Sequence, residues 1–155
     1  ANIAREVESA TPPIKETPML IINNEVSAFL ARSAIRAAVE LNAKTIVADT
    51  NHGRTIRALA AYRGNRFILA QCYDKKVMRE LALSYGICPN YSEKKSTSEA
   101  FLYDALKSLQ KRFNMQKDDR IVVLAGNFGP HHGPSYIEVG TIEELKQVCE
   151  KSGMK

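Results

Sequence analysis

The stretch TIVADTNHGRTIRALAAYRG, residues 45–64, decides how the rest of the chain is read. A short apolar run ends at Asp49, and apolar residues then recur as Ile56, Leu59, Ala60 and Tyr62. The first pattern is that of a strand buried on both faces, and the second is one face of a helix. Between them Thr50, Asn51, His52, Gly53, Arg54 and Thr55 form a strand-to-helix corner, in which Gly53 lets the backbone enter the helix free of side-chain clash. Gly64 is expected to close that helix.

The alternation continues on either side. Val26, Phe29, Leu30, Ala34, Ala37, Ala38 and Leu41 recur at helical spacing, giving an amphipathic helix that ends near Asn42. FILAQ (67–71) reads as the next strand, and Asp74 caps a helix carrying Val77, Met78, Leu81 and Ala82, with Gly86 as its stop. ICPNY (87–91) is a strand placed near an edge by Pro89, which cannot donate to a ladder. Ser96 with Glu99 forms a capping box for a long helix with Leu102, Ala105, Leu106, Leu109 and Phe113 on its face. RIVVLA (120–125) is the clearest buried strand. In SYIEV (135–139), Ile137 and Val139 alternate with Tyr136 and Glu138, which predicts an edge strand with one wet face. Thr141 and Glu144 cap a last helix bearing Ile142, Leu145 and Val148. Strands alternating with helices predict an α/β domain with a mostly parallel sheet covered on both faces.

Composition sets the bounds. The 155 residues are 45% hydrophobic and 25% charged, which are globular averages and exclude a disordered or fibrous chain. A chain of this length makes one domain that buries roughly 70% of its unfolded surface. Lys and Arg number 22 against 17 Asp and Glu, interleaved to a net +5, which argues against a nucleic-acid stripe and leaves room for small anionic ligands. Cys72, Cys88 and Cys149 form no C-x-x-C pair, so a reduced, cytoplasmic chain is expected. No apolar run reaches the ~20 residues that span a bilayer, and no membrane association is expected. The chain begins at Ala1 in mid-pattern and is expected to be an excised piece; Pro12, Pro13 and Pro18 make residues 1–18 read as a linker.

Two corners could bind a ligand. At the first, the free N–H groups of an opening helix would lie beside the Thr50 and Thr55 hydroxyls and the Arg54 charge, an arrangement suited to phosphate or sulfate. A well-capped turn whose polar residues satisfy only the backbone is the competing reading. The second corner follows RIVVLA and runs from Gly126 to Ser135 through Asn127, Phe128, Gly129 and Gly133. It also lies at the carboxyl end of a buried strand, where α/β sheets bind ligands at a reversal of strand order. Its competing reading is a glycine-rich connection to an edge strand. Neither corner is a P-loop or a dinucleotide fingerprint. His131 and His132 are adjacent and aim poorly at one metal, and no metal site is expected. His52 suits a solvent-facing turn or a ligand contact. No catalytic constellation is found, and Cys72 reads as a small buried thiol.

Three segments carry a family likeness: ARSAIRAAVELNAKTIVADTNHGRTIRALAAYRG, FILAQCYDKKVMRELALSYGICP and KDDRIVVLAGNFG. In this order the chain resembles the C-terminal domain of pyruvate kinase over about residues 25–140. NIAREVE at the start looks like the last helix of that enzyme's barrel, so residues 1–18 would be that helix end and a linker, and 19–155 the domain itself. The resemblance implies a three-layer α/β/α fold with a five-stranded sheet and an antiparallel last strand. It implies a domain without catalytic residues or cofactors of its own, which pairs subunits of a homotetramer and binds a sugar-phosphate effector. It also implies a parent enzyme transferring a phosphoryl group from phosphoenolpyruvate to ADP with magnesium and potassium. The family's phosphate corner maps onto Thr50 to Thr55 and its effector loop onto Gly126 to Ser135. The chain departs from fructose-bisphosphate-responsive members: it has no tryptophan, nothing basic near Ala100, and no Thr-Asn pair in HHGPSYIEV. Fructose bisphosphate and a sugar monophosphate therefore both stay open. The alternative is a stand-alone α/β protein that binds a small phosphorylated ligand or nucleotide, for which His52, His131 or Cys72 would have to supply any chemistry.

Overall fold

The computed structural model describes residues 25–95, 97–126 and 133–152. Its elements are α1 (Glu25–Glu40), β1 (Thr45–Thr50), α2 (Arg54–Ala61), β2 (Phe67–Cys72), α3 (Lys75–Leu81), β3 (Ile87–Tyr91), α4 (Ser98–Phe113), β4 (Arg120–Ala125), β5 (Tyr136–Thr141) and α5 (Ile142–Lys151). The sheet has five strands in the order β3-β2-β1-β4-β5. All neighbours are parallel except β4 and β5. The expected three-layer architecture with an antiparallel last strand is therefore found, and β3, carrying Pro89, is an edge. The linker assigned to residues 1–18, and residues 19–24, lie outside the described residues.

Strand alternation divides the core in two. Ile46 and Ala48 of β1 point to the layer of α1, α2 and α3, while Val47 and Leu69 point to the layer of α4 and α5. Alanines let α1 approach the sheet closely: Ala31, Ala34 and Ala38 are fully covered beside Ile35. In the other layer Phe101, Leu106 and Leu109 of α4 lie under the sheet, and Phe67 stacks on Phe113 with ring centroids 4.8 Å apart.

The expected helix faces need correction at their margins. Val26 and Phe29 are 61% and 60% exposed, and Leu41 is also exposed, because the close side of α1 is the narrow Ala28, Ala31, Ala34, Ala38 stripe. In α5 Cys149 is buried and Val148 is exposed. The left-handed residue after α2 is Arg63, φ 51°, and not Gly64, while Asn42 takes the expected left-handed form, φ 52°. Gly86 is left-handed too, but it precedes β3; α3 already ends at Leu81 with Ala82 as its cap. Thr97 caps α4, its hydroxyl accepting from the Ala100 N–H at 3.2 Å, so the helix is capped one residue later than the expected Ser96, which lies outside the described residues. β5 has no single wet face: Ile137 packs on the α1 side and Tyr136 on the α4 and α5 side, while Val139 is exposed. An edge strand flanked by helices on both sides is partly covered on both.

Candidate phosphate-binding corner at the strand-order reversal

Strand order reverses between β1 and β4, which lie side by side in parallel. The corner after Thr50 and the loop after Ala125 therefore leave the same edge of the sheet on neighbouring strands, as the sequence pattern required. Asn127, Phe128, Gly129, His131 and His132 lie outside the described residues; Gly126, Gly133 and Ser135 form the described base of that loop. A Cβ on Gly126 would strike the backbone carbonyl of Gly133, so the two ends of the loop touch. The Ser135 N–H donates to the Ala125 carbonyl at 2.9 Å, bringing the chain back into β5.

The first corner is built differently from the expectation at one residue. Thr50 is buried, and its hydroxyl accepts from the Gly53 N–H at 2.7 Å. It fastens the turn from within, so its oxygen is turned away from any ligand, and the Gly53 amide is engaged as well. Gly53 has φ 79° and opens α2, and no side chain caps that helix. The amides of Arg54, Thr55 and Ile56 occupy the first turn, which an α-helix leaves without intrahelical acceptors. Asn51, His52 and Arg54 are exposed and Thr55 is half-buried.

Arg57 is a residue the sequence reading passed over. Its Nη1 donates to the His52 carbonyl at 3.0 Å, and its Nη2 pairs with Glu80 at 3.0 Å, tying the corner to α3. Its place one helical turn after Gly53 was the available signal. Asp49 was also passed over as a site residue. It is the penultimate residue of β1, on the face it shares with Val47, and its Oδ2 accepts from the Tyr73 hydroxyl at 3.0 Å. Burial pushes the Asp49 carboxyl up, against the lowering effect of the Tyr73 hydrogen bond. Burial, reinforced by the Asp49 charge, pushes the Tyr73 hydroxyl up in turn.

Cys72 is fully buried, and burial raises its thiol to about 11, so it is the inert core thiol expected. Among the described residues no three His, Cys, Asp or Glu side chains gather as a metal site, and no helix is long and apolar enough to cross a membrane.

Comparison with known proteins places this architecture. The family model of the pyruvate kinase alpha/beta domain matches residues 29–139. The pyruvate kinase of Borreliella burgdorferi is 27% identical over 148 residues, 92% of this chain and 31% of that protein. That of Staphylococcus saprophyticus is 32% identical over 128 residues, 81% of this chain and 22% of that protein. A solved Cryptosporidium parvum pyruvate kinase in complex with ADP superposes with a TM-score of 0.69 at 21% identity, over 91% of this chain and 27% of the other, a likeness of fold. The chain thus spans less than a third of the length of these relatives. With the family model covering most of its length and the expected five-stranded sheet with its antiparallel last strand in place, the chain belongs to the pyruvate kinase C-terminal alpha/beta domain family.

Proposed function

We propose that this domain is the effector-binding and subunit-pairing part of a cytoplasmic, tetrameric pyruvate kinase, and that the corner at Thr50 to Thr55 receives the phosphoryl group of a sugar phosphate. The observation that carries the reading is the start of α2. The helices α3, α4 and α5 are capped by Asp74, Thr97 and Thr141, whereas α2 opens on Gly53 with no capping side chain. An uncapped first turn presents N–H donors and the positive end of the helix dipole to an incoming anion. The amides of Arg54, Thr55 and Ile56 would hold the phosphoryl oxygens, the Thr55 hydroxyl and Arg54 guanidinium would add to them, and Thr50 would keep the turn in shape.

The rest of the sugar phosphate would extend toward the loop from Gly126 to Ser135, which leaves the adjacent strand. Binding at both loops couples to the assembly only if the ligand prefers one arrangement of the paired domains over another. The parent enzyme's reaction, phosphoryl transfer from phosphoenolpyruvate to ADP in glycolysis, is assigned to the part of the protein beyond this chain. Magnesium and potassium belong to that reaction, and the described carboxylates do not form a cluster that fits a divalent ion.

The test is thermal denaturation of the chain with fructose 1,6-bisphosphate and with glucose 6-phosphate, against chloride at equal ionic strength. At a free ligand concentration ~100 times the dissociation constant the gain is about 2.7 kcal/mol. Arg54→Ala should reduce it. Equal melting curves in sugar phosphate and chloride would leave the corner a structural turn.

A further inference from the structure

We propose that the chain carries a second small-ligand site, between the β3 edge of the sheet and α4, built for a polyvalent small anion. A cavity of about 450 Å³ opens there, lined by Gln71 and Asn90 from the strands and by Lys107, Lys111 and Arg112 from α4. That volume is within the range of small-ligand pockets.

Its floor is a directed polar chain. Arg112 Nη1 donates to Asn90 Oδ1 at 2.7 Å, and Asn90 Nδ2 donates to Gln71 Oε1 at 2.7 Å. These two bonds fix both amides, because reversing either would set donor against donor. The chain of donors ends at Gln71 Nε2, on a side chain 1% exposed, and that nitrogen has no hydrogen-bond partner among the described residues. A buried donor left unmet is destabilising, so an acceptor that reaches it from the cavity relieves that penalty.

The walls set the sign of the guest. Four cationic side chains, Lys95, Lys107, Lys111 and Arg112, face two anionic ones, Glu93 and Asp104. Asp104 is already paired with Lys95 at 2.6 Å. The ammonium of Lys107 rests over the Tyr103 ring, 4.1 Å from its centroid, on a stem that can swing toward a ligand. Phosphoryl and carboxylate groups share the required chemistry: several acceptor oxygens and negative charge.

This site is separate from the corner of β1. Gln71 lies two residues after Leu69 and so shares its α4 face, whereas Thr50 lies two residues after Ala48 and shares the opposite one. The sheet stands between Gln71 and Thr50, while Asp49, the register partner of Gln71, shares its face; the inference holds whether or not the corner binds phosphate.

The experiment is a titration of the full ¹⁵N-labelled chain with inorganic pyrophosphate and, separately, citrate, read at the side-chain amides of Gln71 and Asn90. The expected result is a saturable shift of the Gln71 NH₂ signals with at least one of the two. Affinity should fall at least tenfold in K107Q/K111Q, a variant of two exposed surface lysines, and stay unchanged in R54A. Shifts that rise linearly without saturating, that are confined to residues 50–55, or that persist in K107Q/K111Q would overturn the site.

Discussion

The starts of α2 and α5 solve one problem in opposite ways. Each helix follows a strand, and each begins with amides that the helix itself cannot use. At α5 the Thr141 hydroxyl accepts from the Glu144 N–H at 3.2 Å, and the Glu144 carboxylate accepts from the Thr141 N–H at 2.8 Å, a reciprocal capping box. At α2 the turn is held from behind, by Thr50 on the Gly53 amide, and the first turn of the helix has no side-chain cap. A cap gains local stability by spending donors internally. A bare terminus forgoes that gain and keeps its donors for a guest.

The comparison breaks most visibly at Gly53. Gly53→Val puts a β-branched residue at φ 79° and brings its Cβ to 2.6 Å from Arg57 Nη1. The expected loss is about 2 kcal/mol, read as a lower denaturation midpoint, together with loss of the sugar-phosphate response. A variant as stable as the parent would mean the corner tolerates another backbone shape.

Thr141→Ala tests the other terminus. It should cost about 1 kcal/mol in urea denaturation and leave the response to sugar phosphates unchanged. A changed response would show that the two helix starts are coupled. The Glu144 carboxyl is held below its ordinary range by the Thr141 backbone and side-chain bonds. Its contribution is therefore present above the unfolded value and lost as pH falls through the folded one; Thr141→Ala keeps the backbone N–H that donates to Glu144, so it should weaken this pH dependence without abolishing it.

Arg57→Gln sharpens the contrast with a smaller change. The Arg57–Glu80 pair is exposed, so stability should move by about 0.5 kcal/mol or less. The His52 carbonyl loses its donor, however, and the ligand-induced rise in melting temperature should shrink by more than the stability does. A proportionate change would reduce Arg57 to a surface ion pair.

The smallest effect is a slope. Burial raises the Asp49 carboxyl, so the folded state holds its proton to higher pH than the unfolded state does. Stability from this group should thus decline as pH rises from the unfolded value of 3.8 through the raised folded one. Asp49→Asn keeps an acceptor for Tyr73 and should flatten that decline. An unaltered slope in denaturation at several pH values would place the titration elsewhere.

Much of this architecture was legible in residue order. The shift from an apolar run to helical spacing at Asp49 placed β1 and α2, and glycine at residue 53 announced the backbone turn that φ 79° realises. The parallel sheet followed from near-continuous apolar strands. The margins were not legible. Phe29 and Val26 have the hydrophobicity of core residues, but which side of α1 meets the sheet is decided by how closely alanines allow the helix to approach, a property of the packed pair of elements. The fate of the Thr50 hydroxyl was hidden for a similar reason: the residue type offers an oxygen, and only the geometry of the turn shows that it points inward. Arg57 and Gln71 gain their meaning from partners 23 and 19 residues away, beyond any local motif.

The position of β4 beside β1 has a consequence for the order of assembly. The ladders of β1 with β2 and of β2 with β3 each close over one helical crossover. Joining β4 to β1 must bridge everything from α2 to α4, the costliest loop closure in the sheet. The first three strands are thus expected to organise before the fourth arrives, and the crevice between β1 and β4 comes into being only with that arrival. Folding intermediates that stop short of it would hold most of one core layer and lack the proposed effector site.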